Sequence, residues 1–268
     1  MTDAKSDKTL KKMSILLGMG ERMNKEREKY ILSKLLKERR VTVKALSREL
    51  YTSEPSIRRD LCSLEKQGTL RRVHGGAVLE NELHSNLKIP FVIRELENYD
   101  AKVIIARKAA ELIRDGDTVM LDGSSSAYAL VPFIAQKSNV TVITSGVKTL
   151  MLLAEFGINA YSTGGRLICK SYSLVDDDCA SMLASYNADI AFFSCRGISD
   201  DGMLTDFSID EGVVRRRMIE RARSSILLCA DDKIGKTYSY NISSLADIDG
   251  AISETDRAKE LFEKAKKK

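Results

Sequence analysis

Histidine, paired cysteine and long apolar runs are scarce in this sequence, and each scarcity closes off a class of chemistry. Only two histidines, His74 and His84, occur in 268 residues, so imidazole-based triads and most metal sites lack their usual groups. The five cysteines, Cys62, Cys169, Cys179, Cys195 and Cys229, are odd in number, far apart and without a C-x-x-C pair. That pattern reads as reduced thiols rather than a disulfide framework or a zinc site. The apolar run Met13 to Met19 is broken by Ser14 and Gly18, and it falls far short of the roughly 20 residues that span a bilayer. No small-residue cleavage site follows it. The expectation is a cytoplasmic protein with no membrane segment, no metal and no cofactor.

What is present is enough apolar material, 43%, to build more than one core at this length. Charge is unevenly placed: residues 1–80 hold 19 basic and 11 acidic side chains, whereas residues 81–268 hold 24 and 27. A basic head on a mildly acidic body is a common arrangement for a polyanion-binding regulator, although charged helices are more often merely solvated. Residues 1–22 read as a flexible extension, 23–80 as the head, 81–100 as a linker containing Pro90, and 101–268 as a second domain.

Within the head, Tyr30, Ile31, Leu32, Leu35 and Leu36 fall on one helical stripe. Thr42 can cap a second helix carrying Val43, Leu46 and Leu50, and Ser53 can cap a third over about Glu54 to Gln67. On that third helix Ile57, Leu61 and Leu64 share a face. Ser56, Arg59 and Ser63 lie opposite, with Arg58 on the flank. Arginine can fork onto guanine or phosphate, so such a face suits a DNA groove. An ordinary surface helix with Glu54 and Arg58 paired at i,i+4 would look the same. The following Leu70-Arg71-Arg72-Val73-His74-Gly75-Gly76-Ala77-Val78 reads as two short strands about a Gly-Gly turn. In this basic hairpin Arg71, Arg72 and His74 would lie along a duplex backbone.

Ser-Glu-Pro-Ser-Ile-Arg-Arg-Asp-Leu (53–61), Leu64-Glu65, Gln67-Gly68 and Leu70-Arg71-Arg72-Val73-His74-Gly75-Gly76-Ala77 together resemble the DeoR family of bacterial repressors. The resemblance implies that Arg58 and Arg59 belong to a recognition helix. Ser56 stands where the family usually has Thr, and Pro55 sits early in the helix, where its missing N–H has no intrahelical partner. Ser53, Ser56, Arg58, Arg59, Arg71, Arg72 and His74 are the candidate DNA-binding residues.

From about residue 101 short apolar strands alternate with helices, which argues for a three-layer α/β domain with a largely parallel sheet. Strands are expected at Thr118–Leu121, Val140–Ile143, Ile158–Tyr161, Ile190–Phe193, Ser225–Cys229 and Ile248–Ile252. Small polar residues recur where strands end, and ligands of such sheets bind there. Asp122-Gly123-Ser124-Ser125-Ser126 joins a strand to a helix, where hydroxyls and amides can surround a phosphate. Ser145, Gly164-Gly165 and Arg196-Gly197 occupy comparable ends, and Lys233 can bring an ammonium to the same rim. Each alone reads more readily as a plain turn; the signal is their recurrence. Ser208-Ile209-Asp210-Glu211 reads as a capping box with a local purpose, so Glu211 is not taken as catalytic.

Asp-Gly-Ser-Ser-Ser, Gly-Gly-Arg-Leu, Asp-Gly-Met-Leu-Thr-Asp (201–206) and Asp-x-Lys-x-Gly-Lys extend the DeoR-family resemblance over nearly all of residues 23–255. It implies a sensor fold similar to the sugar-phosphate isomerase and CoA-transferase group, with a phosphorylated sugar as effector. Ser194-Cys195-Arg196-Gly197 replaces a Gly-Ala-Asp-Gly common in the family, exchanging an acid for a guanidinium, which favours sensing over turnover. The expectation is a non-enzymatic repressor of a carbohydrate-utilisation operon, a homodimer or homotetramer bound to double-stranded operator DNA. An isomerase-like enzyme carrying a DNA-binding head, with Asp122 and Glu211 as acid and base, is the alternative.

Overall fold

The computed structural model describes residues 24, 26–79 and 89–267; the expected extension 1–22 lies outside them. The chain forms two compact units, Met1–Ser85 and Asn86–Lys268, each described by itself.

In the first unit, helix α1 (26–38) is followed by strand β1 (Arg40–Thr42), helix α2 (Val43–Glu49), helix α3 (Glu54–Lys66) and a hairpin of β2 (Leu70–Val73) and β3 (Gly76–Leu79). Apolar periodicity closes the core: Ile31, Leu32, Leu35, Leu46, Ile57, Leu61, Leu64 and Leu70 are at most 1% exposed. Tyr30, expected on the same stripe, instead lies 42% exposed and donates its hydroxyl to Glu49 at 2.9 Å. Thr42 caps α2 as expected, accepting from Ala45 N–H at 3.2 Å. Strand β1 was not anticipated. It pairs with β3 to make a three-stranded sheet in the order β1-β3-β2. Its partner explains Gly76, which lies in β3 rather than in the turn, because a Cβ there would sit 2.0 Å from the Val41 carbonyl oxygen. The turn is His74-Gly75, with Gly75 at a φ of 74° that glycine adopts without steric cost.

The second unit opens with α4 (Phe91–Leu96) and α5 (Tyr99–Ala110). The expected linker therefore ends early. Phe91 and Ile93 are at most 2% exposed, and burying them makes 91–100 part of this unit. Its sheet has six parallel strands in the order β14-β12-β9-β4-β5-β6. These are β4 (Thr118–Leu121), β5 (Thr141–Thr144), β6 (Ala160–Ser162), β9 (Ala188–Phe193), β12 (Ala222–Leu228) and β14 (Gly250–Ile252). Every expected strand is present, with ends shifted by a few residues.

Strand alternation divides the core into layers. Val119, Leu121 and Phe192 pack with Ile105, Ala106 and Ala109 of α5, with α6 (Ser125–Tyr128) and with α7 (Val131–Ile134). Met120, Ile143 and Ala191 face Leu183 of α9 (Asp177–Ala184) and Val214 and Met218 of α10 (Ile209–Arg221). Helix α8 (Val147–Glu155) follows β5, and α11 (Arg257–Lys266) follows β14. A hairpin of β7 (Arg166–Ile168) and β8 (Ser173–Val175), and a small antiparallel sheet of β10 (Gly197–Ile198), β11 (Met203–Asp206) and β13 (Tyr240–Ser244), complete the unit. Both were missed because they are short and without clear alternation. Among the described residues no helix is long and apolar enough to cross a membrane.

Strands β4, β5 and β6 build outward in one direction and β9, β12 and β14 in the other. The order reverses between β4 and β9, so the connections that leave these two strands run in opposite directions.

Candidate functional site

In the first unit the candidate DNA-contacting side chains sit at the surface, and local bonds hold several of them. Ser53 occupies the N-cap position of α3 but makes no capping bond; its hydroxyl instead lies 3.1 Å from that of Ser56. Arg59, exposed, donates to Ser56 Oγ at 3.1 Å. Arg58 pairs with Glu54 at 3.1 Å, the two side chains 62% and 44% exposed, so the surface pairing weighed from sequence does form. Exposed pairs this loose are worth little and can exchange for a phosphate. Asp60 turns inward, where Arg27 of α1 grips it with two bonds, Nη2 at 2.9 Å and Nε at 2.5 Å. Asp60 thereby fixes the helix that presents Arg58 and Arg59.

The wing separates its two arginines. Arg71 pairs with Val78 and Arg72 with Ala77, so by strand alternation they project from opposite faces. Arg72 is also tied to Glu65, through its backbone N–H at 2.8 Å. Arg40 pairs with Val78 from the other side and thus shares a face with Arg71. Arg40 was missed because β1 was missed. Tyr51 was also missed: it is 97% exposed in the turn between α2 and α3, at a φ of 50°.

In the second unit a small cleft opens at the carboxyl ends of β4 and β5, lined by Asp122, Gly123, Ser145, Ser173, Glu211 and Arg215 among others. Asp122, at the end of β4, organises it. Its carboxylate accepts from Ser194 N–H at 3.2 Å, from Ser124 N–H at 3.2 Å and from Arg215 Nε at 2.9 Å. Arg215 also donates to Asp206 at 2.6 Å. Burial works against the Arg215 charge, but Asp206, Asp122 and Glu211 outweigh it and raise the pKa.

Ser208 does cap α10, accepting from Glu211 N–H at 3.4 Å. The Glu211 carboxylate, however, does not return to the Ser208 N–H, which donates to Asp206 instead. It accepts from Ser173 Oγ at 2.6 Å and lines the cleft, so the purely local reading of this residue is corrected. Burial pushes the Glu211 carboxyl up, yet Arg215, Arg94 and the Ser173 and Ser171 hydroxyls together hold it below the usual value.

The remaining expected residues divide. Ser124 caps α6, accepting from Ala127 N–H at 3.1 Å, and Ser125 and Ser126 are buried beside it. Lys233 reaches the end of β9, donating to Ser194 Oγ at 2.8 Å. Gly164, Gly165, Arg196 and Gly197 do not line the cleft. A Cβ on Gly165 would meet the Val175 carbonyl oxygen at 2.4 Å and one on Gly197 that of Lys236 at 2.2 Å, so these two glycines admit close backbone packing. Arg196 lies over the Phe207 ring at 5.4 Å. Gly123 does belong to the cleft, for a Cβ there would strike Ser173 Oγ at 2.3 Å.

The DeoR C terminal sensor domain matches residues 97–255, more than half the chain, and the DeoR-like helix-turn-helix domain matches residues 27–82. The chain belongs to the DeoR family. It is a transcriptional regulator with a DNA-binding unit ahead of a sensor. It is 35% identical to the HTH-type transcriptional regulator GolR of Listeria innocua, over 89% of this chain and 94% of that protein. It is 32% identical to the HTH-type transcriptional repressor GlcR of Bacillus subtilis, over 85% and 88%. It is 31% identical to the L-fucose operon activator of Escherichia coli, over 87% and 96%. Among solved structures, ribose 5-phosphate isomerase A of Methanocaldococcus jannaschii is 18% identical over 52% of this chain and 55% of that one, with a TM-score of 0.39, a likeness too loose to bear on function.

Proposed function

We propose that this DeoR-family regulator represses a carbohydrate-utilisation operon and leaves its operator when a phosphorylated sugar enters the sensor cleft. It would act in the cytoplasm as a homodimer or homotetramer, because one small head binds weakly and two linked heads gain effective concentration. The observation that carries the sensor half is the polar cleft at the carboxyl ends of β4 and β5. There Glu211, Ser173 and Asp122 offer acceptors and donors for sugar hydroxyls, and the 123–126 turn adjoins them for a phosphate. The Asp122 carboxylate is already engaged by Arg215, Ser124 N–H and Ser194 N–H, which favours a positioning role over acid–base chemistry. Repression follows the names of GlcR and of the Escherichia coli glycerol-3-phosphate regulon repressor, 28% identical over 80% of this chain. The L-fucose operon activator favours activation as a second reading.

The deciding experiment titrates labelled fragments from the promoters flanking this gene with the protein, then adds sugar phosphates, with a reporter fusion to read the sign. Operator-specific binding, lost on adding one phosphorylated sugar and lost in Arg59→Ala without loss of fold, is the expected result. Sequence-independent binding that no sugar phosphate disturbs would refute it.

A further inference from the structure

Four buried side-chain atoms among the described residues have no hydrogen-bond partner: Arg94 Nε, Thr149 Oγ1, Ser171 Oγ and Asp231 Oδ1. Two of the four, Arg94 and Ser171, adjoin each other beside Glu211 of the cleft. Arg94 Nη2 reaches only the Ser171 carbonyl, at 3.4 Å. The Ser171 hydroxyl lies against Glu211, and Thr149 Oγ1 is 2.8 Å from where a Cβ on Gly146 would stand, with Gly123 Cα 3.1 Å from the same point. Orphaned polar atoms are costly in a folded chain and rarely cluster without use.

Arg94 is the unusual member. No ion pair to it forms among the described residues, although Glu211 and Asp122 face it along with Arg196 and Arg215. Its guanidinium packs over Phe91 at 5.4 Å. Burial depresses its pKa, Glu211 countering only in part. A half-buried guanidinium whose buried Nε lacks an acceptor can receive an anion there.

Its position along the chain matters equally. Arg94 sits on α4, the next described element after β3 of the DNA-binding unit. Helix α4 is fastened to the rest of the sensor at both of its ends. Phe91 N–H donates to the Lys170 carbonyl at 2.9 Å, between β7 and β8, and Lys102 Nζ donates to the carbonyls of Arg94 and Glu97 at the carboxyl end of α4.

We propose that Arg94 is the cation that meets the phosphate of the ligand, and that α4 is thereby the element through which occupancy of the cleft is passed toward the DNA-binding unit. The inference rests on the sugar-phosphate reading above and adds which residue takes the charge and which helix responds.

The test uses the full chain with glucose 6-phosphate, fructose 6-phosphate and glycerol 3-phosphate, each beside its unphosphorylated parent and inorganic phosphate. Calorimetry gives affinity, and hydrogen exchange follows the peptide covering Phe91–Leu96. Arg94→Gln is expected to weaken the bound sugar phosphate by about tenfold or more, leaving the parent within about twofold. Arg94→Lys should recover part of the loss. Saturating ligand should slow exchange in Phe91–Leu96 in the wild type and not in Arg94→Gln. Wild-type affinity in Arg94→Gln overturns the inference while leaving the sensor reading intact. Equal losses for phosphorylated and parent compounds, which a merely structural arginine would give, overturn it also, as does ligand binding with no change in the exchange of α4. A wild type that binds none of the phosphorylated probes removes the sensor reading and this inference together.

Discussion

The two units of this regulator treat charge in opposite ways. In the DNA-binding unit the candidate cations are held at the surface by weak, exchangeable bonds, and the buried charge, Asp60, is met by Arg27 a helix away. In the sensor, Lys102, Asp122, Asp206 and Arg215 are all buried; Arg215 bridges the two carboxylates, and Lys102 is met by backbone carbonyls. A surface read by a polyanion must leave its cations available, whereas a cleft that distinguishes small ligands needs charges already desolvated and fixed in place. Removing a charge should therefore cost the sensor stability and the head chiefly affinity.

Arg215 sharpens this comparison most. Arg215→Ala leaves Asp122 and Asp206 buried without their shared cation, and the sensor is expected to lose about 3–5 kcal/mol. Denaturant unfolding that resolves the two units should show the loss in the sensor alone. A change below about 1 kcal/mol would mean that the trio is no more dependent than a surface pair, and the contrast would collapse. Arg27→Ala tests the exception in the head. Its pair with Asp60 is only partly buried, the two side chains 16% and 9% exposed, so the loss should be smaller, about 2–3 kcal/mol, and confined to the head's transition.

The same contrast governs what was legible in the sequence. Helix α3, its apolar face and the arginines opposite were readable because a helix obeys a local period and its exposed residues need no distant partner. The parallel strands were readable because each is a short apolar run between helices. The residues that build the cleft were only half readable. Asp122 and Gly123 follow a strand, a position that itself marks a site. Arg215 and Glu211 lie within an ordinary-looking amphipathic helix, and their role depends on Asp122 and Ser173, far away in sequence. Arg94 was hidden inside an expected linker. Arg40 stayed invisible until β3 supplied it with a neighbour.

Lys102 gives the sensor a pH signature above neutrality. Burial, reinforced by Lys233, lowers its pKa from 10.5 to about 7. Between these values the unfolded chain holds a proton that the folded sensor has released, so sensor stability should rise with pH across that window. Below about 7 both states are protonated and this contribution is flat. Melting curves from pH 7 to pH 10 should show the upward trend, and Lys102→Met should reduce it. A trend unchanged in the variant would assign it to other groups.

The smallest expected effect bears on the head's wing, where strand pairing makes a finer prediction than the sequence allowed. Arg40 and Arg71 flank Val78 on one face of the sheet, while Arg72 projects from the other and has Glu65 as a partner. If the face bearing Arg40 and Arg71 tracks the duplex backbone, Arg40→Ala and Arg71→Ala should each weaken binding about equally for all sequences. Each should also reduce the slope of log affinity against log salt by about 1. Arg72→Ala should leave that slope nearly unchanged, because its guanidinium lies on the opposite face of the strand. A salt slope that falls for Arg72 and not for Arg40 would mean that the wing presents its other face. The pairing of β1 with β3 would then serve to stiffen the hairpin rather than to widen its basic surface.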